Sequence, residues 1–296
     1  MNHVFVAGAT GYLGRHLCVE YKRRGWHVSA LVRKSGDPDG LTADHLIVAE
    51  ATKPETLQGH MKGVDLVVSA LGITRQADGL GYWDVDYQAN LNLLAEAEQS
   101  NVPRFAYVHV LKADQMAKVP LVAAKSAFVA KLQSAAIRST VVAPTGYFSD
   151  MADFLTMARS GRVWLFGSGT QKINPIHGAD LAAAIYDAVD AGATWAKIGG
   201  PETFTQNDLA QLCFETLGKR PRVTHLPDGL RKALLRLLPY LAPRRISGPA
   251  QFFLTASALD MTAPQAGHRK LADHLASVAD ARATQKSSAE RSHVVS

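Results

Sequence analysis

"HVFVAGATGYLGRHLCVEYKRRG" (residues 3–25) is the stretch on which the fold turns. "HVFVAG" (3–8) is an apolar run of strand length. The residues after it place Leu13, Leu17 and Tyr21 at helical spacing, and Gly25 stands where a helix C-cap glycine belongs. "HVSALVR" (27–33) then reads as a second strand. Strand, glycine turn, helix and strand form the context that gives a glycine motif meaning. Its glycines are Gly8, Gly11 and Gly14, spaced G-x-x-G-x-x-G. Gly8 permits a tight exit from the strand, Gly11 lets the backbone approach a pyrophosphate, and Gly14 lets the helix lie close on the sheet. The turn and helix start, with Thr10, Tyr12 and Leu13, would offer free N–H groups to the anion. A glycine turn without a ligand is the competing reading.

The end of the second strand separates the two nicotinamide cofactors. A carboxylate there would bond the adenosine ribose. This chain has Arg33, Lys34 and Ser35, with no acid before Asp37. Two cations and a hydroxyl suit a 2′-phosphate, so NADP(H) is expected; an exposed basic pair after a strand is the alternative. A third strand, "DHLIVAEA" (44–51), ends at Glu50 and Ala51, which would border the adenine. A helix is expected over 54–63 and a fourth strand over 64–72, whose end at Ala70, Leu71 and Gly72 would run beneath the cofactor. A helix over 83–100 and a strand over 104–110 follow. This alternation predicts an α/β fold with a doubly wound parallel sheet.

At 296 residues and 47% hydrophobic, the chain can bury a substantial core. It lacks an apolar run of spanning length, and its N-terminus reads as a strand and not a leader, so a cytoplasmic protein is expected. Cys18 and Cys213 read as two buried free thiols. Histidines and cysteines never adopt a metal-ligand spacing, so no metal is expected, and no G-x-S-x-G elbow occurs. The net charge of +6 is local: residues 219–245 hold eight Lys or Arg against Asp228 alone. That argues against a nucleic-acid-binding domain.

The chain resembles the atypical short-chain dehydrogenase/reductases, and within them the NmrA-like and divinyl-chlorophyllide 8-vinyl-reductase-like branch. "GATGYLGRHL", "GVDLVVSALG", "WDVDYQANLNLLAEAEQSNVPRFAYV", "AAKSAFVAKL", "VVAPTGYFSDM", "WLFGSGTQKINPIHGADLAAAI" and "ALDMTAPQAGHRKLADHL" carry the resemblance, in the family's order. The resemblance implies a Rossmann fold, a nicotinamide cofactor with Pro144 and Thr145 beside it, and a catalytic serine with a Tyr-x-x-x-Lys helix. Here His109 stands at the serine position and Leu121 at the tyrosine position, and Ala143 replaces an arginine often found before the Pro-Thr pair. Leucine transfers no proton, so ordinary alcohol dehydrogenation is not expected.

Lys125 falls at the family's lysine position. The resemblance implies that it bonds the nicotinamide ribose, and it would donate a proton if burial lowered its pKa; a solvated helix lysine is the alternative. His109, at the end of a strand and with an ordinary imidazole pKa, is a second candidate donor against a core histidine. Tyr147 is a third, against simple packing under a loop. Asp180, near the start of an apolar helix, reads as a structural cap.

The expected organisation is an NADP-binding domain over 1–200, a helical cap over 201–280 integrated with it, and a disordered tail over 281–296. The cap would close an apolar pocket through helices in 203–218, 229–241 and 248–260. The function expected is reduction of a small or medium-sized, apolar, conjugated substrate. A non-catalytic cofactor sensor or assembly module is the alternative. Leu230, Ala233, Leu234, Leu237 and Leu238 share one helical face, with Arg231, Lys232 and Arg236 elsewhere. The stretch 229–245 is therefore either a lid or a weak contact with a membrane surface or anionic partner. Oligomeric state is left open.

Overall fold

The computed structural model describes residues 1–34, 36–73 and 79–281, apart from the Arg244 side chain. Ser35 and all but the first residue of the expected tail lie outside the described residues. The first unit is β1 (His3–Ala7), α1 (Tyr12–Arg23), β2 (His27–Val32) and β3 (His45–Val48). It continues through β4 (Leu66–Ser69), α2 (Asn90–Gln99), β5 (Arg104–Val108), α3 (Pro120–Ser134) and β6 (Arg138–Pro144). α4 (Ala152–Arg159), β7 (Val163–Phe166) and β8 (Lys172–Ile173) lead to α5 (Gly178–Asp190) and β9 (Trp195–Ile198). β10 (Phe204–Thr205), α6 (Gln206–Thr216), β11 (Val223–Leu226), α7 (Asp228–Leu241) and α8 (Arg244–Ala256) follow, and residues 271–281 are helical.

Seven strands make one parallel sheet in the order β3-β2-β1-β4-β5-β6-β9. This is the doubly wound Rossmann arrangement that the alternation predicts. Strand residues point alternately to the two faces. Phe5 and Ala7 join Leu93 and Phe128 on one side, while Val4 and Val6 join Leu17 and Leu181 on the other. Each such side chain, fully buried, stabilises by about 1.5–3 kcal/mol. The chain order reverses beside β1, between β2 and β4, so the cleft falls at the carboxyl ends of these strands.

Three expectations change. The expected helix over 54–63 is one 3₁₀ turn, Pro54–Thr56, because Gly59 and Gly63 take φ of 78° and 75° and break any helical path. Residues Trp83–Ala89 wind as a π-helix before α2. The Asn90 amide donates to the carbonyls of Val85 and Asp86, both at 3.1 Å, and a side chain in the ladder widens the turn. Asp180 is not a cap. His177 caps α5, its Nδ1 accepting from the Ala179 N–H at 3.1 Å. The Asp180 carboxylate instead accepts from the N–H groups of His268 and Arg269 and from the Arg269 guanidinium, anchoring the C-terminal loop.

A second, smaller core lies over the carboxyl edge of the sheet. Phe148, Leu155, Val163, Leu209, Phe214 and Leu271 form it, so this lobe draws on chain from both sides of residue 200. β7 pairs with β11, and β8 with β10. α6 opens with a reciprocal cap, in which Thr205 Oγ1 accepts from the Asp208 N–H and Asp208 from the Thr205 N–H. Cys18 and Cys213 are buried free thiols, and burial pushes each up to about 12. Among the described residues, no helix is long and apolar enough to cross a membrane, and no group of side chains could hold a metal ion.

Candidate cofactor and substrate site

The glycine turn joins β1 to α1. Gly8 has φ of 79°, and a Cβ on it would meet the Ala70 backbone at 2.9 Å. On Gly14 a Cβ would collide with the Gly8 carbonyl oxygen, so only glycine lets α1 lie this close to the sheet. Gly11 is the N-cap, with no side-chain cap and no acid in the first helical turn. The N–H groups of Tyr12, Leu13 and Gly14 therefore start the helix without a side-chain partner, an arrangement that fits an anionic group. The Arg15 guanidinium donates to the carbonyls of Thr10, Asp37 and Asp39, tying the loop after β2 to this turn. Arg33 and Lys34 are exposed at the start of that loop. Glu50 follows β3 and pairs with Lys53 at 3.0 Å; buried Ala51 accepts from Asn92. Thus the phosphate-type and adenine-type positions lie along one edge.

The other end is a cavity of about 470 Å³ between that edge and the second lobe. Ala70, Gly72, His109, Pro144 and Thr145 line its sheet side, and Trp164, Ile173, Phe252, Phe253 and Met261 its cap side. Leu71 borders the core below. At its floor Lys125 Nζ donates to the Val108 carbonyl at 3.2 Å and to the Tyr107 hydroxyl at 3.4 Å. It also faces Asp86 Oδ1 at 3.3 Å, and Asp86 is fully buried. A Cβ on Gly72 would sit 2.5 Å from Asp86 Oδ1 and 3.0 Å from Lys125 Nζ, so glycine there leaves room for the pair. Burial opposes the charge on Lys125, but Tyr107 and Asp86 outweigh it and raise its pKa. Burial keeps Tyr107 itself a neutral phenol, up to about 12, and burial raises the Asp86 carboxyl too, with the charge of Lys125 working against that rise. The condition under which Lys125 would donate a proton, a pKa lowered by burial, is therefore not met.

His109 also departs from expectation. It is 4% exposed, and its Nδ1 is buried without a hydrogen-bond partner. Burial, and then the charge of Lys125, pushes its pKa down to about 3. A neutral imidazole has no proton to give as an acid at neutral pH, so His109 can only exchange hydrogen bonds. Leu121 lines the cavity wall, and the tyrosine position carries no acid. Tyr147 lies on the wall with its ring 5.7 Å from that of Tyr12, and burial raises its pKa. Tyr12 in turn accepts from the Gly178 N–H at 3.0 Å, joining α1 to α5. Thr145 donates its hydroxyl to the Asn174 carbonyl at 2.6 Å, so its side chain is committed to the scaffold.

Two carboxylates escaped the sequence reading. Asp86 sits in the quoted "WDVDYQAN", but the π turn that buries it leaves no sequence signal. Asp150, in "GYFSDM", lines the cavity and accepts from the Tyr147 N–H at 3.1 Å. Burial raises its carboxyl to about 6. A single aspartate shortly after an aromatic pair is too common a pattern to single it out.

Comparison with known proteins agrees with this geometry. The sequence model of a family described as NAD(P)H-binding matches residues 8–191. The chain is 29% identical, over 81% of its length, to the chloroplastic divinyl chlorophyllide a 8-vinyl-reductase of Zea mays, of which it covers 65%. It is 25% identical, over 76% of its length, to the photosystem II assembly factor Ycf39 of Synechocystis sp., covering 70% of that protein. The chain thus spans 62–65% of the length of the plant vinyl-reductases it matches. An NADPH-dependent quinone oxidoreductase of Escherichia coli shares the fold, with a TM-score of 0.72 at 18% identity over 93% of this chain and 99% of its own. The glycine turn, the sheet order and these likenesses converge: the chain belongs to the NAD(P)H-binding Rossmann family, in its atypical short-chain dehydrogenase/reductase, NmrA-like branch.

Proposed function

We propose that the protein is an NADPH-dependent reductase of a small or medium-sized apolar, conjugated substrate. One observation carries this reading. The cavity of about 470 Å³ has apolar and aromatic walls from the second lobe and a charged Lys125–Asp86 pair on its floor. Arg33 and Lys34 take the 2′-phosphate, and the amides after Gly11 take the pyrophosphate. Glu50 and Ala51 border the adenine, and Ala70, Leu71 and Gly72 underlie the ribose and nicotinamide with Pro144 and Thr145 beside them. Lys125 holds the nicotinamide ribose hydroxyls, its orientation set by Asp86 and the Val108 carbonyl. The cofactor bound there supplies hydride. His109, neutral, orients the substrate's polar end, Tyr147 closes the wall, and Asp150 is the carboxyl positioned to return the proton. The walls exclude water from the reacting carbon.

A non-catalytic reading also has specific support: Leu121 removes the usual acid, and the chain is similar to an assembly factor. Turnover separates the two. NADPH oxidation across a panel of enones and quinones, lost in Lys125→Met, supports the reductase; tight NADPH binding with no oxidation of any acceptor supports the binding module. Cofactor choice has its own check. Arg33→Ala should weaken NADPH binding by about 1.5–3 kcal/mol, the range for a hydrogen bond to a charged group, and leave NADH nearly unchanged. Equal affinity of the unaltered protein for both cofactors would overturn the assignment.

A further inference from the structure

α7 carries more apolar surface than its contact with the protein covers. Its one fully buried side chain is Arg231, which donates to Asp228 at 2.6 Å and to the Leu254 carbonyl at 3.0 Å. Leu234, Leu235 and Leu238 are half-buried on the same face, but a second apolar set faces out: Leu230 is exposed, Leu237 is 52% exposed, Leu241 77% and Tyr240 86%. Leu230, Leu237 and Leu241 fall in one narrow sector of the helix, and Tyr240, Arg236 and Lys232 follow farther round its exposed side. α8, packed antiparallel on α7 after Pro243, repeats the pattern, with Ile246 and Phe253 exposed on one stripe and Arg245 exposed beside it. Interior helices bury such stripes. Exposed apolar side chains that share the solvent side of two helices with cations are the composition of a surface that sits at a lipid interface.

We infer that the α7–α8 hairpin is a docking surface for an anionic lipid bilayer, and that it sets the mouth of the cavity against that bilayer. Charge complementarity selects this occupant. Arg220, Arg222, Lys232, Arg236 and Arg245 are exposed in this region, and its single acid, Asp228, is engaged by Arg231 and Lys232. A second copy of the chain would bring these cations against their own equivalents. Nucleic acid would use the cations and leave the leucines in water. A bilayer with anionic headgroups satisfies both, and each basic residue near such a surface raises partitioning about fivefold. The cavity strengthens the assignment, because Phe253 and Trp164 both line it and are both exposed. Apolar molecules dissolved in the bilayer would thus have a short path to Lys125; that last step, and only that step, rests on the proposed reductase reading.

The test requires neither cofactor nor turnover. The full chain is sedimented with vesicles of phosphatidylcholine alone or mixed with phosphatidylglycerol, at low and high salt. Pelleting with the mixed vesicles at low salt, falling more than tenfold with added salt, is expected. Arg236→Glu with Arg245→Glu should lose binding more than tenfold, and Leu237→Glu with Leu241→Glu should abolish it; these side chains are exposed, so both variants should keep the melting temperature of the unaltered protein. Lipids brominated near the headgroup should quench tryptophan emission, and Trp164→Phe should lose most of that quenching. No pelleting with anionic vesicles at low salt, or equal pelleting by all variants, would overturn the proposal. So would a dimer in sedimentation velocity that Leu237→Glu with Leu241→Glu dissociates, since the face would then belong to a second copy.

Discussion

The two ends of the cavity are built on opposite principles. At the sheet end, positions are over-determined: Gly8, Gly14 and Gly72 admit no Cβ, and the Lys125 ammonium faces three oxygens within 3.4 Å. At the cap end the walls are side chains of helices whose outer stripes remain exposed, and few polar contacts fix them. On the proposed assignment, a nicotinamide site must present one geometry to one invariant ligand, whereas a substrate wall needs only shape and apolar character. Change should therefore be costly at the first end and cheap at the second.

The sharpest way to break this contrast is Lys125→Met. It leaves Asp86 as a fully buried, uncompensated carboxylate, and removing one partner of such a pair costs about 3–5 kcal/mol. Chemical denaturation measures it, and adding Asp86→Asn should recover part of the loss. A cost below about 1 kcal/mol would mean that the pair does not hold the floor together. Gly14→Ala comes next. The added methyl must displace α1 from the Gly8 carbonyl, an overpacking cost of about 1–3 kcal/mol, and calorimetric titration should show weaker cofactor binding as well.

Asp150→Asn sharpens the comparison through pH. Burial raises the Asp150 carboxyl from 3.8 to about 6, so the folded state binds the proton more tightly than the unfolded chain does. Stability attributable to this group is then lost as pH rises from about 4 to about 6. The amide cannot ionise, so Asp150→Asn should exceed the unaltered protein by about 1–2 kcal/mol at pH 8 and match it at pH 4. A melting difference that ignores pH would contradict this. Leu237→Ala should be the mildest, within about 0.5 kcal/mol, since an exposed side chain has little packing to lose. A loss of 2 kcal/mol or more would show that α7 belongs to the core after all.

The nucleotide half of this protein was legible in the sequence because its signals are local. A strand, three glycines at fixed spacing, a helix and a second strand all fall within residues 3–32, and backbone sterics demand each of them. The missing acid at Leu121 was legible for the same reason, as one position on one helix. Only the tertiary structure decided the rest. Asp86 reaches Lys125 through a π turn and across 39 positions of chain, and no periodicity announces that contact. The pKa values of His109, Lys125 and Asp150 depend on burial and neighbours that exist only after folding, so the sequence could name an ordinary imidazole at His109 and leave the Lys125 pKa conditional, but could fix neither. The amphipathic pattern of 229–245 fitted a lid and an interface equally, because periodicity fixes which residues share a face but not what that face meets. Packing turned Arg231 inward and left Leu237 and Leu241 outside.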